Sequence, residues 1–350
     1  MSKNDVEQKT VKLEQSDSVT APKPSRLQRW KAHMKKWWWL YLLGFICAVL
    51  VTVLPIIYVA IPRYAENYIN NYDFDLAGLT ITNPRPNAFH VQQYQKFEAN
   101  MGGGHLSDFN ATMHQSKSAQ PFAVFAFPRL SFGKTARMEV DQDLEFSCVE
   151  CFSQVTADAV RNNKSSIYIT GKPSLKINSL PTYDLNVHKT MTLPGLDVQE
   201  FMQREDAFNV TRLKILNPLS NNGYNINATI TFNSTSPFSV EMGTVSLNLT
   251  IGDSNLGYVD LPNLFLRNGT SEAVVLGRLD DKLLIRKGLW ETSNPDYGKV
   301  KITIHGNRCV HDGKDIPYLT SAIRALNATT TINMFDYAPQ ILDQWKDLLL

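Results

Sequence analysis

The chain reads as mainly β, with one N-terminal transmembrane helix followed by two tandem antiparallel β-sandwich units that carry a few short helices. Three observations predict this. An uncharged apolar run spans Trp37 to Ile61, alternating apolar and polar residues fill the sequence behind it, and a repeat at an offset of about 135 residues divides that sequence in two.

Residues 1–36 hold nine basic and four acidic groups, a net +5, and few aromatics before Trp30. Such a segment cannot bury enough surface to fold alone and reads as a disordered basic tail. The apolar run over 37–61 has 25 residues, about 37 Å as a helix against roughly 30 Å of hydrocarbon, which leaves room for tilt or a kink at Pro55. It is too long and too far into the chain for a cleaved signal peptide. Lys23, Arg26, Arg29, Lys31, Lys35 and Lys36 crowd its N-terminal flank, whereas Arg63 on the other side is balanced by Glu66, Asp73 and Asp75. The positive-inside rule therefore places the N-terminus in the cytosol and the C-terminus in the lumen or outside the cell. Trp30, Trp37, Trp38 and Trp39 at one edge and Tyr58, Tyr64, Tyr68 and Tyr72 at the other form interfacial belts. A helical stalk over 62–72 follows.

The remaining sequence is mildly acidic, with 26 basic and 29 acidic groups beyond residue 61. That balance, with the basic residues tethered at a bilayer, excludes nucleic acid as a partner. Leu79-Thr-Ile-Thr-Asn-Pro84 recurs as Leu213-Lys-Ile-Leu-Asn-Pro218, and Ile167-Tyr-Ile-Thr-Gly171 recurs as Ile302-Thr-Ile-His-Gly306, in the same order and at nearly the same spacing. The repeat sets a first unit at 73–195 and a second at 196–350. In the second, Tyr224, Ile226, Ala228, Ile230 and Phe232 alternate with polar residues, as do Val245, Leu247, Leu249 and Ile251. The apolar phase shifts between Val210 and Leu213, which calls for a bulge. Helical patterning is expected near Ser153 to Arg161, in a counterpart near Ile316 to Leu326, and at the C-terminus, where Ile341, Leu342, Trp345, Leu348 and Leu349 make an apolar stripe.

Eight N-glycosylation sequons begin at Asn110, Asn163, Asn209, Asn227, Asn233, Asn248, Asn268 and Asn327, all downstream of the apolar run. A glycan needs solvent, and Asn227, Asn233 and Asn248 fall on the outward phase of their strands. Cys47 lies inside the anchor, while Cys148, Cys151 and Cys309 face an oxidising compartment in this orientation and are the disulfide candidates. A Cys148–Cys151 bridge needs a tight turn, since residues three apart on a strand stand about 10 Å from each other. Cys309 paired with either one staples the two units together.

The Asn-Pro strand repeat, Asn217-Pro-Leu-Ser220, Ser236-Pro-Phe-Ser-Val-Glu-Met-Gly243, Gly257 and Asn263-Leu-Phe-Leu-Arg-Asn-Gly269 resemble a fungal family. Its members are single-pass membrane proteins of unknown function with ectodomains related to late-embryogenesis-abundant type 2 (LEA2, water-stress hypersensitivity) domains. The resemblance covers 208–335 best and 73–195 more weakly. It implies tandem fibronectin-like sandwiches, a secretory-pathway, vacuolar or plasma-membrane location, and no established catalytic residues. The motif residues are turn and strand formers, and none is carried over as a site.

A short tail, one anchor and a glycosylated lumenal part is also the layout of a type II glycosyltransferase. Asp73-Phe-Asp75 and Asp141-Gln-Asp143 are triplets that hold a divalent cation and a sugar diphosphate in such enzymes, but they stand without the α/β alternation expected around them. Gly252-Asp-Ser-Asn255 resembles an esterase nucleophile segment and reads more simply as a turn. The reading that results is a non-enzymatic type II glycoprotein with no catalytic, cofactor or metal residues. Its sandwiches bind or scaffold a membrane protein partner, and the alternatives are a lipid-binding or lipid-transfer module and the glycosyltransferase. Scaffolding stands first because a sandwich is normally filled by its own side chains. Endoglycosidase digestion of the full chain from its native membrane is expected to raise its gel mobility, and an unchanged mobility would overturn the orientation.

Overall fold

The computed structural model describes residues 26–72, 78–98, 103–133, 135–162, 164–195, 208–216, 219–234, 238–267, 269–287 and 298–336. The tail before Arg26, Asn163, Asn268, Asp73-Phe-Asp75, Asn217-Pro218, Ser236-Pro237 and the C-terminal stripe lie outside the described residues. The chain divides into two compact units, Met1–Ala60 and Ile61–Leu350.

The first unit contains α1 (Arg26–Pro55) and a π-helical turn (Ile56–Ala60). Pro55 has no N–H to give to the preceding turn, and the backbone answers with the wider i→i+5 pattern just beyond it. The described helical residues from His33 to Asn71 include a stretch long and apolar enough to cross a membrane, with a mean hydropathy of 2.7 and none of that stretch buried.

The second unit opens with α2 (Ile61–Asn71), whose end is latched to β11 (Val187–Pro194) and the residue before it. Asn186 N–H donates to Glu66 Oε1 at 2.8 Å and His188 N–H to Asn70 Oδ1 at 2.9 Å. Buried Lys189 donates its ammonium to the carbonyls of Asn70 and Tyr72. A cation on the last carbonyls of a helix meets the negative end of its dipole, which is how this charge is satisfied under cover.

The strands of the first half are β1 (Thr80–Arg85), β2 (Ala88–Glu98), β3 (Gly104–Leu106), β4 (Phe109–His114), β5 (Pro121–Phe127), β6 (Leu130–Phe132), β7 (Thr135–Glu145), β8 (Lys164–Gly171), β9 (Ser174–Ile177), β10 (Thr182–Asp184) and β11, with α3 (Val149–Arg161) after β7. The second half has β12 (Phe208–Ile215), β13 (Ile226–Ser234), β14 (Ser239–Ile251), β15 (Ser254–Leu266), β16 (Gly269–Leu279), α4 (Asp281–Ile285), β17 (Lys299–His311), β18 (Lys314–Asp315), α5 (Pro317–Arg324) and β19 (Asn327–Asn333). The fold is mainly β, in sandwich-like mixed sheets with a few short helices.

Pairing repeats between the halves. β1–β2–β7 matches β12–β13–β16, and β5–β4–β8–β11 matches β15–β14–β17–β19. The two sequence repeats fall on equivalent strands, and the register shift between Val210 and Arg212 is the bulge the phase of β12 required. One expectation fails. The counterpart of α3, by its place after β7, is short α4 after β16, whereas α5 is inserted between β18 and β19.

That inserted helix joins the halves. Tyr318 on α5 is 2% exposed and packs among Phe89, Phe146 and Phe152 of the first half, with ring centroids 5.1 to 6.0 Å away. Its hydroxyl donates to the Ala88 carbonyl at 3.1 Å, and Thr156 of α3 donates to the Tyr318 carbonyl at 2.7 Å. Burial of that hydroxyl pushes its pKa upward. A second joint is the parallel pairing of Thr80 and Ile81 with Ser239 and Val240, which adds β14 to the edge of β1.

The repeated Ile-x-Ile-x-Gly motif has a steric reason. A Cβ on Gly306 would stand 1.6 Å from the Ile323 carbonyl oxygen where α5 returns over β17, and one on Gly171 would stand 2.6 Å from the Phe109 ring. Gly306→Ala is expected to cost about 3 kcal/mol or more by overpacking against backbone that cannot swing aside. Thermal unfolding of the full chain in mild detergent checks this, with Gly133→Ala as the control for a glycine in open space at ordinary φ.

Candidate functional site: an apolar groove

Inward residues of both halves line one interior space. Phe122, Phe125, Met138, Val140, Ile167 and Ile169 are all buried. Others are only half-buried: Met113, Phe127 and Met191 in the first half, and Val210 and Leu213 on β12, Ile226, Ile230 and Phe232 on β13, and Ile304 on β17 in the second. In the second half the cause is topological. β12-β13-β16-β15-β14-β17-β19 is one continuous antiparallel path, turned back on itself where β15 and β16 pair over only Gly257–Asp260 and Arg278, Gly277, Leu276 and Leu279. The two arms of that path leave a space between them.

The space is an apolar cavity of about 680 Å³, bounded by the inner faces of both arms, by α5, and by the aromatic cluster of the first half. Among the described residues its lining contains no charged side chain; Gln93, Thr156, Ser234, Thr330 and Tyr318 supply its polar side chains. Met113, Met138, Met191, Met242 and Met334 all contribute. Thioethers on unbranched stems re-pack easily, so the wall adapts to a ligand of variable shape. The sequence signal for this groove was the ordinary alternation of strands; nothing in it marked the inward residues of the second half as incompletely covered.

The candidates named from the sequence sit elsewhere. Asp141 and Asp143 on β7 face outward, and their carboxylates are engaged. Arg85 Nη2 lies 2.7 Å from Asp143 Oδ2, and His90 stands between the two, with Nε2 2.9 Å from Asp141 Oδ1 and Nδ1 3.0 Å from Asp143 Oδ1. Hydrogen bonds from Arg85 and then His90 hold the Asp143 carboxyl below the usual value of 3.8. This cluster ties β1, β2 and β7 together. Asn83 N–H adds a 2.8 Å bond to Glu241 Oε2 of β14 at the same joint. Among the described residues no group of three or more His, Cys, Asp or Glu is arranged to hold a metal ion. Gly252-Asp253 is the two-residue turn of the β14–β15 hairpin, with Gly252 at positive φ in its first position.

Cys148 and Cys151 form a disulfide with Cα atoms 5.3 Å apart. They reach each other because Cys148 is the N-cap of α3 rather than a strand residue. Cys309 pairs with neither. It is fully buried on β17, donates its thiol to the Met242 carbonyl at 2.7 Å, and desolvation pushes it up to about 12. Of the pairings left open by the sequence, the one that would staple the halves through Cys309 is not formed, and Tyr318 joins them.

On the outer face of the second half, Ser246 and Tyr224 hydroxyls both donate to Asp260, at 2.5 and 2.7 Å. The carboxylate beside it pushes Tyr224 up to about 12. The described sequon residues Asn110, Asn209, Asn227, Asn233, Asn248 and Asn327 are exposed.

Residues 120–249 match the family profile described as a protein of unknown function (DUF3712). The match runs from β5 to β14 and so crosses from one half to the other. No curated protein matches the chain. Among solved structures, the exo-chitosanase CsxA of Amycolatopsis orientalis is 12% identical over 73% of this chain and 26% of that one, with a TM-score of 0.20. The periplasmic chaperone SfaE is 8% identical over 68% and 93%, with a TM-score of 0.16. The β-glucuronidase of Parabacteroides merdae is 8% identical over 77% and 30%, with a TM-score of 0.17. This chain spans about a quarter of the length of the exo-chitosanase. Superpositions this poor carry no inference about chemistry.

Because its folded pKa is depressed, Asp143 contributes stability that is present above the unfolded carboxylate pKa and is lost as pH falls through the lower folded value. The melting-temperature gap between the native chain and Asp143→Asn is therefore expected to be open at pH 7 and to close as pH drops below 3.8. A gap that does not change with pH would show that the Arg85–Asp143–His90 contacts contribute nothing.

Proposed function

We propose that this chain is a non-enzymatic, single-pass membrane glycoprotein whose β ectodomain holds the acyl part of a lipid in this apolar groove, between inward residues of both halves. The observation that carries this reading is the size and lining of the cavity. Left empty, a space of about 680 Å³ would leave its apolar walls without packing partners. Filled with water, it would wet an extended apolar wall. An acyl chain resolves both: each methylene is worth about 0.8 kcal/mol on transfer, so a dozen supply on the order of 10 kcal/mol before the entropy of binding is subtracted. The volume lies inside the range of about 300–1,000 Å³ usual for ligand sites. With no charge among the described lining residues, the headgroup stays outside and specificity rests on the chain.

The cavity reverses the order of the two binding readings taken from the sequence, since scaffolding ranked first only for want of space inside the sandwich. The further parts of the proposal are a cytosolic N-terminus, from the basic flank of the anchor, and a secretory-pathway, vacuolar or plasma membrane. A LEA2-like ancestry of the two halves, from the turn and strand motifs of 208–335, completes it. Nothing in it requires a cofactor or nucleic acid.

Native mass spectrometry of the full chain, purified in mild detergent and delipidated, is expected to show one acyl lipid retained after re-exposure to total membrane lipid. Ile230→Trp, which fills the groove between its arms, is expected to lower retention by about tenfold or more, the effect of losing roughly 1.4 kcal/mol, while Ile230→Leu keeps it. A folded native chain that retains no lipid would overturn the proposal.

A further inference from the structure

The outer face of the same sheet carries a second, shallow depression of about 370 Å³, lined by Asn248, Thr250, Asn255, Gly257, Tyr258 and His305. Register explains its composition. Asn248 on β14 lies directly opposite Tyr258 on β15 and directly opposite His305 on β17, and His305 lies opposite Asn327 on β19. Residues directly opposite in an antiparallel pair share a face, so Asn327, His305, Asn248 and Tyr258 form one row across four strands. Asn248 and Asn327 are both sequon asparagines, two strands apart and so about 10 Å from each other. Their sequon hydroxyls follow in the next row: Thr250 Oγ1 lies 3.4 Å from His305 Nε2, and Thr329 Oγ1 lies 3.3 Å from Thr303 Oγ1. Tyr258, 38% exposed, presents its ring beside Asn248.

We propose that this trough is the seat of the first sugar of an N-glycan on Asn248, with Tyr258 as its stacking platform and His305 as its floor, and that the Asn327 glycan flanks it across His305. The modification is made by a transferase using a lipid diphosphate-linked oligosaccharide. A bond forms from Asn248 Nδ2 to the anomeric carbon as that carbon's bond to the diphosphate oxygen breaks. The diphosphate leaves with the bonding pair, and the amide proton passes to a base of the transferase. An N-acetylglucosamine attached there has one apolar C–H face to lay on the ring and polar groups to meet Thr250 and Asn255. Among the described sequons Asn248 has this setting to itself: the residues opposite Asn110, Asn209, Asn227 and Asn233 are Ala126, Thr231, Lys214 with Leu276, and Thr270. Because Leu247 and Leu249 line the acyl groove on the inner face of β14, the two glycans shield the back of that strand.

The inference rests on the lumenal orientation, and the test separates the two. The full chain, made in a eukaryotic secretory host and purified in mild detergent, is digested in its native state with peptide N-glycosidase, and each site is followed by peptide mass. Asn248 is expected to be occupied and released roughly two- to tenfold more slowly than Asn227, the size of one ring contact. Tyr258→Ala is expected to bring Asn248 to the rate of Asn227 without altering Asn227 itself, and Tyr258→Phe to preserve the slow release. An unoccupied Asn248 in a chain glycosylated at Asn227 and Asn233, or equal release rates at Asn248 and Asn227 in the native chain, overturns the proposal. A chain with every sequon unoccupied overturns the orientation beneath it.

Discussion

A sheet that turns back on itself must fill the space it encloses, and the two halves of this ectodomain meet that constraint differently. In the first half the phenylalanines of β2, β5 and α3 occupy the interior, and an extra aromatic arrives from α5. In the second half the arms are joined by a pairing only four residues long at the β15–β16 turn, and aliphatic side chains of ordinary length do not meet across the gap. The interiors of the two halves therefore open onto one apolar space, walled by inward residues of both.

β14 is the strand on which these arrangements converge. It pairs with β1 at its start and with β15 and β17 along the rest of its length, so it touches the joint, the groove and the polar outer face at once. Its alternation separates these roles by side: Leu247 and Leu249 inward, Asn248 outward between them. The charged cluster of Arg85, His90, Asp141 and Asp143 steadies the neighbouring sheet at the place where β1 receives β14.

Much of the fold was legible in the sequence. Period-two alternation marked β13 and β14, the two short repeats fell on equivalent strands, and the phase slip after Val210 foretold a bulge. What was not legible depended on contacts distant in sequence. The α5 helix looked like a duplicate of α3 because both are short and amphipathic; only its position between β18 and β19 shows it to be an insertion. Cys148 and Cys151 looked too far apart while they were read as strand residues, and a helix start brings them within reach. The groove escaped because half-burial of Ile230 or Phe232 is decided by how far the opposite arm stands away, and no local pattern encodes that distance. The row of Asn327, His305, Asn248 and Tyr258 was likewise hidden until register aligned four strands.

The placement of Tyr318 also has a consequence in time. Its partners Phe89, Phe146 and Phe152 leave the ribosome long before it does, with roughly 165 residues between the last of them and Tyr318. At about 5–20 residues per second, that interval is on the order of ten to thirty seconds. For that period the first half holds an aromatic cluster without its final ring, and the parallel partner of β1 is also still unmade until β14 is synthesised. The nascent first half therefore waits, sticky and incomplete, for a segment encoded near the other end of the chain, and its folding cannot finish domain by domain in the order of synthesis.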